Sequence, residues 1–268
     1  MKPRLLIALG LALFSLIGYY TSTSTNTVTG EKQHVSGVTP QQEIALGLQA
    51  APEMAQQHGG LSSDARAKQL VDRVGKTIAA RSEAAKTPYQ YDFHLLRDEQ
   101  TVNAFALPGG QIFITMALLR RLESEGQLAA VLSHEVSHVV ARHSAEHIAK
   151  QRLTQGLSGA AAMAAYDPNN PASRNSGQVA AMIGNMVSMK FGRSDELEAD
   201  RYGVRFMAQA GYDPRSMMAL MKILSAAGGG KRQPEFFSTH PNPENRIAKI
   251  QQAIKQEFPQ GLPTSLKP

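Results

Sequence analysis

The chain has 268 residues, 42% of them hydrophobic, enough for one sizeable domain or two small ones with a real core. Its net charge of +6 is scattered, the longest basic runs being the pairs Arg120-Arg121 and Lys231-Arg232, and there is no tryptophan. That pattern lacks the clustered cations and aromatic platforms of a nucleic-acid groove, and fits at most a weak affinity for acidic surfaces such as lipid headgroups. With no cysteine, disulfides and lipid attachment to a cysteine are both excluded.

Lys2 and Arg4 precede an apolar run from Leu5 to Tyr20, so residues 1–20 read as a secretory signal or a short uncleaved anchor. Residues 21–40, rich in Ser, Thr and Gly, read as a flexible linker. A helix interrupted by Pro52 is expected over Gln41–Gln57, with a kink at the proline. Ala65–Arg81 places Ala67, Leu70, Val71, Val74 and Ile78 at helical spacing. The period then changes to two: Tyr89, Tyr91, Phe93 and Leu95 alternate with Gln90, Asp92 and His94, which predicts a half-buried strand with His94 on the solvated face. Thr101–Leu107 and Gln111–Thr115 are two more strands, joined by the turn Pro108-Gly109-Gly110. These strands predict a small antiparallel sheet, and Met116–Leu122 a short helix after it.

Leu128 to Val140 reads as one helix carrying His134-Glu135-Val136-Ser137-His138. Histidines four residues apart lie one turn above each other, so both imidazoles can reach one zinc ion. Glu135 is a carboxylate placed to take a proton from an attacking water. The H-E-x-x-H pattern is the signature of zinc peptidases. Counted from His134, the side chains of Leu132, Val136 and Val139 project at about 160°, 200° and 140°, which gives the helix an apolar back. The helix is expected to run on past His138 through Arg142, His143, His147 and Ile148, with His143 and His147 projecting at about 180° and 220°, away from the metal, as structural or capping groups.

Leu153–Ala165 and Gln178–Met189 are apolar, separated by a loop over Tyr166–Gly177; residues 153–189 are core or a mobile cover over the site. Ser194–Ala210 is a second helix, ended by Gly211. A catalytic zinc needs a third protein ligand and no cysteine is available; the start of this helix offers Asp195, Glu196, Glu198 and Asp200. Glu196 and Asp200 share a face; one can bind metal while the other holds a histidine ring N–H. Asp195 suits the helix N-terminus. Pro214–Ala226 reads as another helix and Gly228–Gly230 as a hinge. Phe236–Pro241 reads as irregular, and Asn242-Pro243 opens a last helix with Arg246, Ile247, Ile250 and Ile254. Residues 258–268 read as a frayed tail.

Together these motifs resemble the gluzincin metallopeptidases of the CAAX-prenyl-protease and Oma type, in particular the periplasmic BepA/LoiP/YcaL-like branch. The match spans roughly residues 41–256. It rests on His134-Glu135-x-x-His138, Glu196-Leu197-Glu198-Ala199-Asp200, Asn103-Ala104-Phe105-Ala106-Leu107-Pro108-Gly109-Gly110 and Ser238-Thr239-His240-Pro241. The resemblance implies that Glu196 is the third ligand and Asp200 its neighbour in the outer shell. It also implies that Asn103, Ala104 and Phe105 lie on a sheet edge where an extended peptide pairs, and that the histidine matching His240 can approach the zinc and silence it. The lipid-modified cysteine of some members is missing, and so is the tetratricopeptide region of others, so their partner recognition is not carried over.

The expected fold is α+β, a mainly helical zincin-like domain over residues 41–257 with a small antiparallel sheet beside the active-site helix. The expected function is zinc-dependent hydrolysis of peptide bonds in exported or membrane-associated, misfolded proteins of the bacterial periplasm, with one zinc per chain. Protein or peptide substrates and an inner-membrane or envelope association are the expected partners, and nucleic acid is not among them. Glu135 is the base; His240 or Arg246 is the candidate oxyanion group, with His240 as inhibitor the competing role. A chaperone-like binder of unfolded envelope proteins, its zinc site mostly closed, is the alternative.

Overall fold

The computed structural model describes residues 3–35, 37–165, 191–227, 234–242 and 245–268. The loop expected over Tyr166–Gly177, the Met-rich Gln178–Met189, the Gly228–Gly230 hinge and Pro243 lie outside the described residues. The chain divides into two compact units, residues 1–39 with 144–189, and residues 40–143 with 190–268.

In the first unit, α1 (Pro3–Thr21) is followed by a two-stranded antiparallel hairpin, β1 (Thr23–Thr25) and β2 (Lys32–His34). Composition alone reads this stretch as linker, but Asn26 organises a turn: its side-chain oxygen accepts from the amides of Val28 and Thr29 at 2.9 and 3.0 Å. The His34 amide donates to Glu146 at 2.8 Å, and the His34 ring stacks on Tyr19 with centroids 4.8 Å apart. α1 leaves Leu6, Leu9, Phe14 and Ile17 exposed, Phe14 by 77%. Among the described residues no helix is long and apolar enough to cross a membrane.

The second unit is built on α5 (Glu125–Val140), and every residue from Gly126 to Val140 is buried. An apolar back was expected; the helix is instead enclosed on all sides, as a helix at the centre of a core is. Each fully buried Leu or Val contributes on the order of 1.5–3 kcal/mol of transfer free energy. Around α5 pack α3 (Ala65–Arg81), α7 (Arg193–Gln209), α8 (Ser216–Ala227) and two strands of a three-stranded sheet. Gly203 sets the approach of α7: a Cβ there would stand 3.5 Å from the His134 amide nitrogen and 2.7 Å from the Met217 side chain.

The sheet has the order β3 (Asp92–Leu96), β5 (Gln111–Thr115), β4 (Ala104–Ala106). The expected α+β class holds, but the sheet is mixed. β4 and β5 form the expected hairpin, whereas β3 runs parallel to β5, pairing Asp92 with Gln111. The reason lies in the crossover: residues 97–103 carry the chain past the position of β5, which then inserts between β3 and β4. The hairpin turn places Gly109 at φ 81°, where a Cβ would come within 2.4 Å of the Ile44 backbone on α2 (Pro40–Gln57), so glycine is required there. His94 is half-buried rather than solvated, bonded to Gln111 at 2.8 Å and stacked on Phe113.

α4 (Met116–Leu119) is a single turn before α5. The helix after the H-E-x-x-H motif does not run on. Arg142 adopts φ 56° and separates α5 from α6 (His143–Ala165). A left-handed non-glycine residue costs about 1–2 kcal/mol. Here the Arg142 guanidinium is anchored by two contacts to the buried carboxylate of Glu43, at 2.9 and 2.8 Å. Phe236–Thr239, expected to be irregular, is one helical turn, α9, ahead of α10 (Arg246–Glu257). The end of the chain is held rather than loose: the amide of Lys267 donates to Gly211 and the Gly126 amide to Pro268, at 2.9 and 3.0 Å.

Candidate metal centre

Four elements converge on one buried point. α5 supplies His134, Glu135 and His138, α7 supplies Glu196 and Asp200, His240 follows α9, and Arg246 opens α10. One donor atom from each of His134, His138, Glu196 and His240 lies within 4.8 Å of the others, and all four residues are buried. Among the histidines, Nε2 of His134 lies 3.1 Å from Nε2 of His138 and 3.4 Å from Nδ1 of His240. Glu196 stands 3.4 Å from each motif histidine and 3.0 Å from His240. Ligands about 2.0–2.1 Å from a tetrahedral zinc ion are separated by about 3.3–3.4 Å from each other, so these spacings suit such an ion.

Charge points the same way. Glu135, Glu196 and Asp200 are buried with one guanidinium, that of Arg246. With neutral imidazoles this cluster carries two uncompensated negative charges, which a divalent cation would balance. Both carboxylate oxygens of Glu135 and Nε2 of His240 are buried without a hydrogen-bond partner, although Nε2 and Oε1 of Glu135 are only 3.5 Å apart. Orphaned polar atoms of this kind suit contact with an ion and a water. The residues fit a metal.

The outer contacts orient the four donor residues. Nδ1 of His134 donates to Asp200 at 3.0 Å, which turns Nε2 toward the centre. Asp200 is in turn held by Nε and Nη2 of Arg246 at 2.7 and 2.8 Å. Burial pushes the Asp200 carboxyl upward, but the Arg246 charge and the His134 bond outweigh it and hold it below the usual range. Burial pushes Glu135 up against the opposing pull of His240 and His134. Arg246, expected as a candidate oxyanion group, turns those two nitrogens to Asp200, and Nη2 also stands 3.1 Å from Glu196. Its contacts are those of a brace for the ligand shell. Asp195 caps α7 through the Gly192 amide at 2.8 Å, in keeping with its place at the helix start.

Periodicity missed three groups. The turn at Arg142 brings His143 back against His138, Nδ1 to Nδ1 at 2.8 Å, where a continuous helix would hold it about 140° away. Phe191 stacks on His138 with centroids 4.0 Å apart, and Phe236 on His240 at 4.5 Å. A Phe before an acidic helix start and another before a His-Pro pair carry no periodic signal.

Asn103, Ala104 and Phe105 are buried at the start of β4, the strand at one edge of the sheet. Asn103 pairs with Thr115 of β5 through its amide and carbonyl, while the carbonyl of Val102 accepts from the Phe236 amide at 3.1 Å. The segment carrying His240 is thus fastened to the entry of that edge.

The family model of peptidase family M48 matches residues 65–254. The chain belongs to peptidase family M48. The M48 chain is 32% identical over 211 residues to the beta-barrel assembly-enhancing protease of Escherichia coli, covering 76% of this chain and 42% of that protein. It is 39% identical over 189 residues to the mitochondrial metalloendopeptidase OMA1 of Schizosaccharomyces pombe, covering 69% and 52%. A third similarity, 35% over 163 residues, is to the mitochondrial metalloendopeptidase OMA1 of Arabidopsis thaliana, covering 61% and 32%. The kinship with Oma-type peptidases expected from the motifs is borne out. The chain spans about half or less of the length of these relatives.

Proposed function

We propose that the chain is a zinc endopeptidase that acts on exported or membrane-associated, misfolded proteins, and that it rests in a closed state. The observation that carries this reading is the buried set of four donor atoms at tetrahedral spacing beside a carboxylate with no partner of its own. Two imidazoles and a carboxylate select zinc over calcium or magnesium, which prefer all-oxygen shells. A zinc ion held by His134, His138 and Glu196 supplies Lewis acidity toward a peptide carbonyl and makes a neighbouring water easier to deprotonate. Glu135 accepts that proton and passes it to the leaving amine. Asp200, braced by Arg246, keeps His134 in the ligating tautomer. The β4 edge at Asn103, Ala104 and Phe105 pairs with the substrate backbone.

His240 occupies the fourth corner, where substrate and water have to enter, so the inhibitory role is favoured over an oxyanion role. A substrate strand extending β4 meets the bond from Phe236 to Val102 and displaces the turn that carries His240. Envelope location is supported by the name of the Escherichia coli relative and by the basic start and exposed apolar face of α1, which suit a signal or anchor lying against lipid. The closed fourth corner also favours the second reading, a chaperone-like binder whose site stays shut.

Incubating casein or an unfolded outer-membrane protein with the purified chain, with and without chelator, separates the two. Fragments that disappear with chelator and in Glu135→Gln support the peptidase. Binding without fragments under every condition, including after His240→Ala, would overturn it.

A further inference from the structure

We infer that His143 and Glu198 form a relay behind His138 that sets this ligand's tautomer and the affinity of the site for its metal. The inference rests on the metallopeptidase reading and adds two residues to it. His138 presents Nε2 to His134 and Glu196, 3.1 and 3.4 Å away. An imidazole that ligates through Nε2 is neutral and carries its proton on Nδ1. Nδ1 of His138 therefore donates, and the atom 2.8 Å away, Nδ1 of His143, accepts. His143 must then carry its own proton on Nε2, which faces Oε2 of Glu198 at 3.3 Å. Every donor in the row meets an acceptor, and only one arrangement of protons satisfies it.

The row mirrors the one behind the other histidine. His134 leans on Asp200, and Asp200 on Arg246. Among the described residues His143 is the one acceptor facing the Nδ1–H of His138, which is 1% exposed, while Phe191 covers the ring face. A role in capping α6 does not account for the contacts: although His143 opens that helix, both its ring nitrogens face side chains of α5 and α7. Its position depends on the left-handed turn at Arg142 and the Glu43 anchor beneath it. Outer-shell partners of this kind typically change metal affinity or activity by roughly 10- to 100-fold.

The test is a competitive chelator titration of zinc on the full chain, repeated with cobalt(II) for its visible spectrum. His143→Leu should weaken zinc binding by roughly 10- to 100-fold and shift the cobalt bands. His143→Asn, which can place an amide oxygen near the position of Nδ1, should restore most of the affinity and the wild-type bands. Glu198→Gln should weaken binding in the same direction by a smaller factor. Thermal midpoints of the metal-free variants report packing separately. Zinc affinity and cobalt bands unchanged in both His143→Leu and Glu198→Gln, whatever the midpoints do, would overturn the relay. If His143→Leu does not fold, wild-type affinity and cobalt bands in Glu198→Gln decide against the relay by themselves. A wild-type chain that binds no zinc would sink the metallopeptidase reading together with the relay, whereas tight wild-type binding with indifferent variants sinks the relay alone.

Discussion

Replacing His240 by Ala should raise proteolysis. In the closed arrangement Nδ1 of His240 lies 3.4 Å from the His134 ligand atom and 3.0 Å from Glu196, and the ring is stacked on Phe236 at 4.5 Å with an interplanar angle of 17°. Opening gives up a polar contact to a charged centre, on the order of 1.5–3 kcal/mol, and an aromatic contact of about 0.5–1.5 kcal/mol. The total of about 2–4.5 kcal/mol puts the open fraction between roughly 1 in 30 and 1 in 2000. With the imidazole removed nothing competes for the fourth corner, so the rate on an unfolded protein substrate should rise by about 30- to 2000-fold, with more self-cleavage. The assay is initial-rate hydrolysis of a labelled unfolded substrate by wild type and His240→Ala at equal zinc content. A fall of about 10²–10³ would instead make His240 an oxyanion group, and an unchanged rate would remove it from both roles.

Glu135→Gln should keep about one zinc per chain, measured by metal analysis, while proteolysis falls by several orders of magnitude; activity within about tenfold of wild type would remove Glu135 from the mechanism. His134→Ala or His138→Ala should lose zinc, and full occupancy in either would contradict the ligand set. Arg246→Met leaves the buried Asp200 charge uncompensated and should destabilise the chain by about 3–5 kcal/mol in denaturant titrations, with a loss under about 1 kcal/mol arguing against a brace. Acid stability should depend on Glu125 and Asp98. The bonds from Arg73 and Tyr212 hold Glu125 down to about 2, and the His58 bond with the Thr101 and Gln100 amides holds Asp98 at about 2 against burial. Carboxyls depressed on folding contribute stability above their unfolded values near about 4, and lose it as pH falls toward 2. Glu125→Gln and Asp98→Asn should therefore flatten the decline of the thermal midpoint between those limits, and a decline as steep as wild type would refute the assignment.

The candidate ligands were legible because their signal is local, although the choice of Glu196 over Asp200 came from the family resemblance and not from spacing. His134, Glu135 and His138 fall within one turn and a half of a helix, and Glu196 and Asp200 within another, so a fixed angle per residue is enough to put them on shared faces. Helices α3, α5 and α7 were legible for the same reason: an apolar stripe or an acidic start repeats at 3.6 residues. The strand pairing was half legible. Pro108-Gly109-Gly110 announces the β4–β5 hairpin, but nothing local reveals that β5 passes between β4 and β3, because that choice is made by contacts across the sheet rather than by neighbours in the chain.

His143 shows where angular reasoning stops. Extending α5 by arithmetic sends His143 to the far side of the helix, and the arithmetic is sound for a helix that continues. It fails because one residue, Arg142, leaves the right-handed region, and a single φ of 56° changes the direction of everything after it. No glycine or asparagine marks the spot. The stabilisation comes from Glu43, 99 positions earlier, whose carboxylate meets the Arg142 guanidinium and the Tyr89 hydroxyl. A local conformation held by a partner that distant has no local signature. The same holds for His240, whose approach to the centre depends on the bond between Phe236 and Val102 and on the Phe191 amide meeting Thr239 at 3.1 Å. The candidate donors His134, His138, Glu196 and Asp200 were readable from spacing, while the positions of His143, Arg246 and His240 around them were set by tertiary contacts. Variants at Glu43 or Phe236, remote in sequence from the motif, should therefore disturb the centre more than exposed positions within α6, such as Thr154.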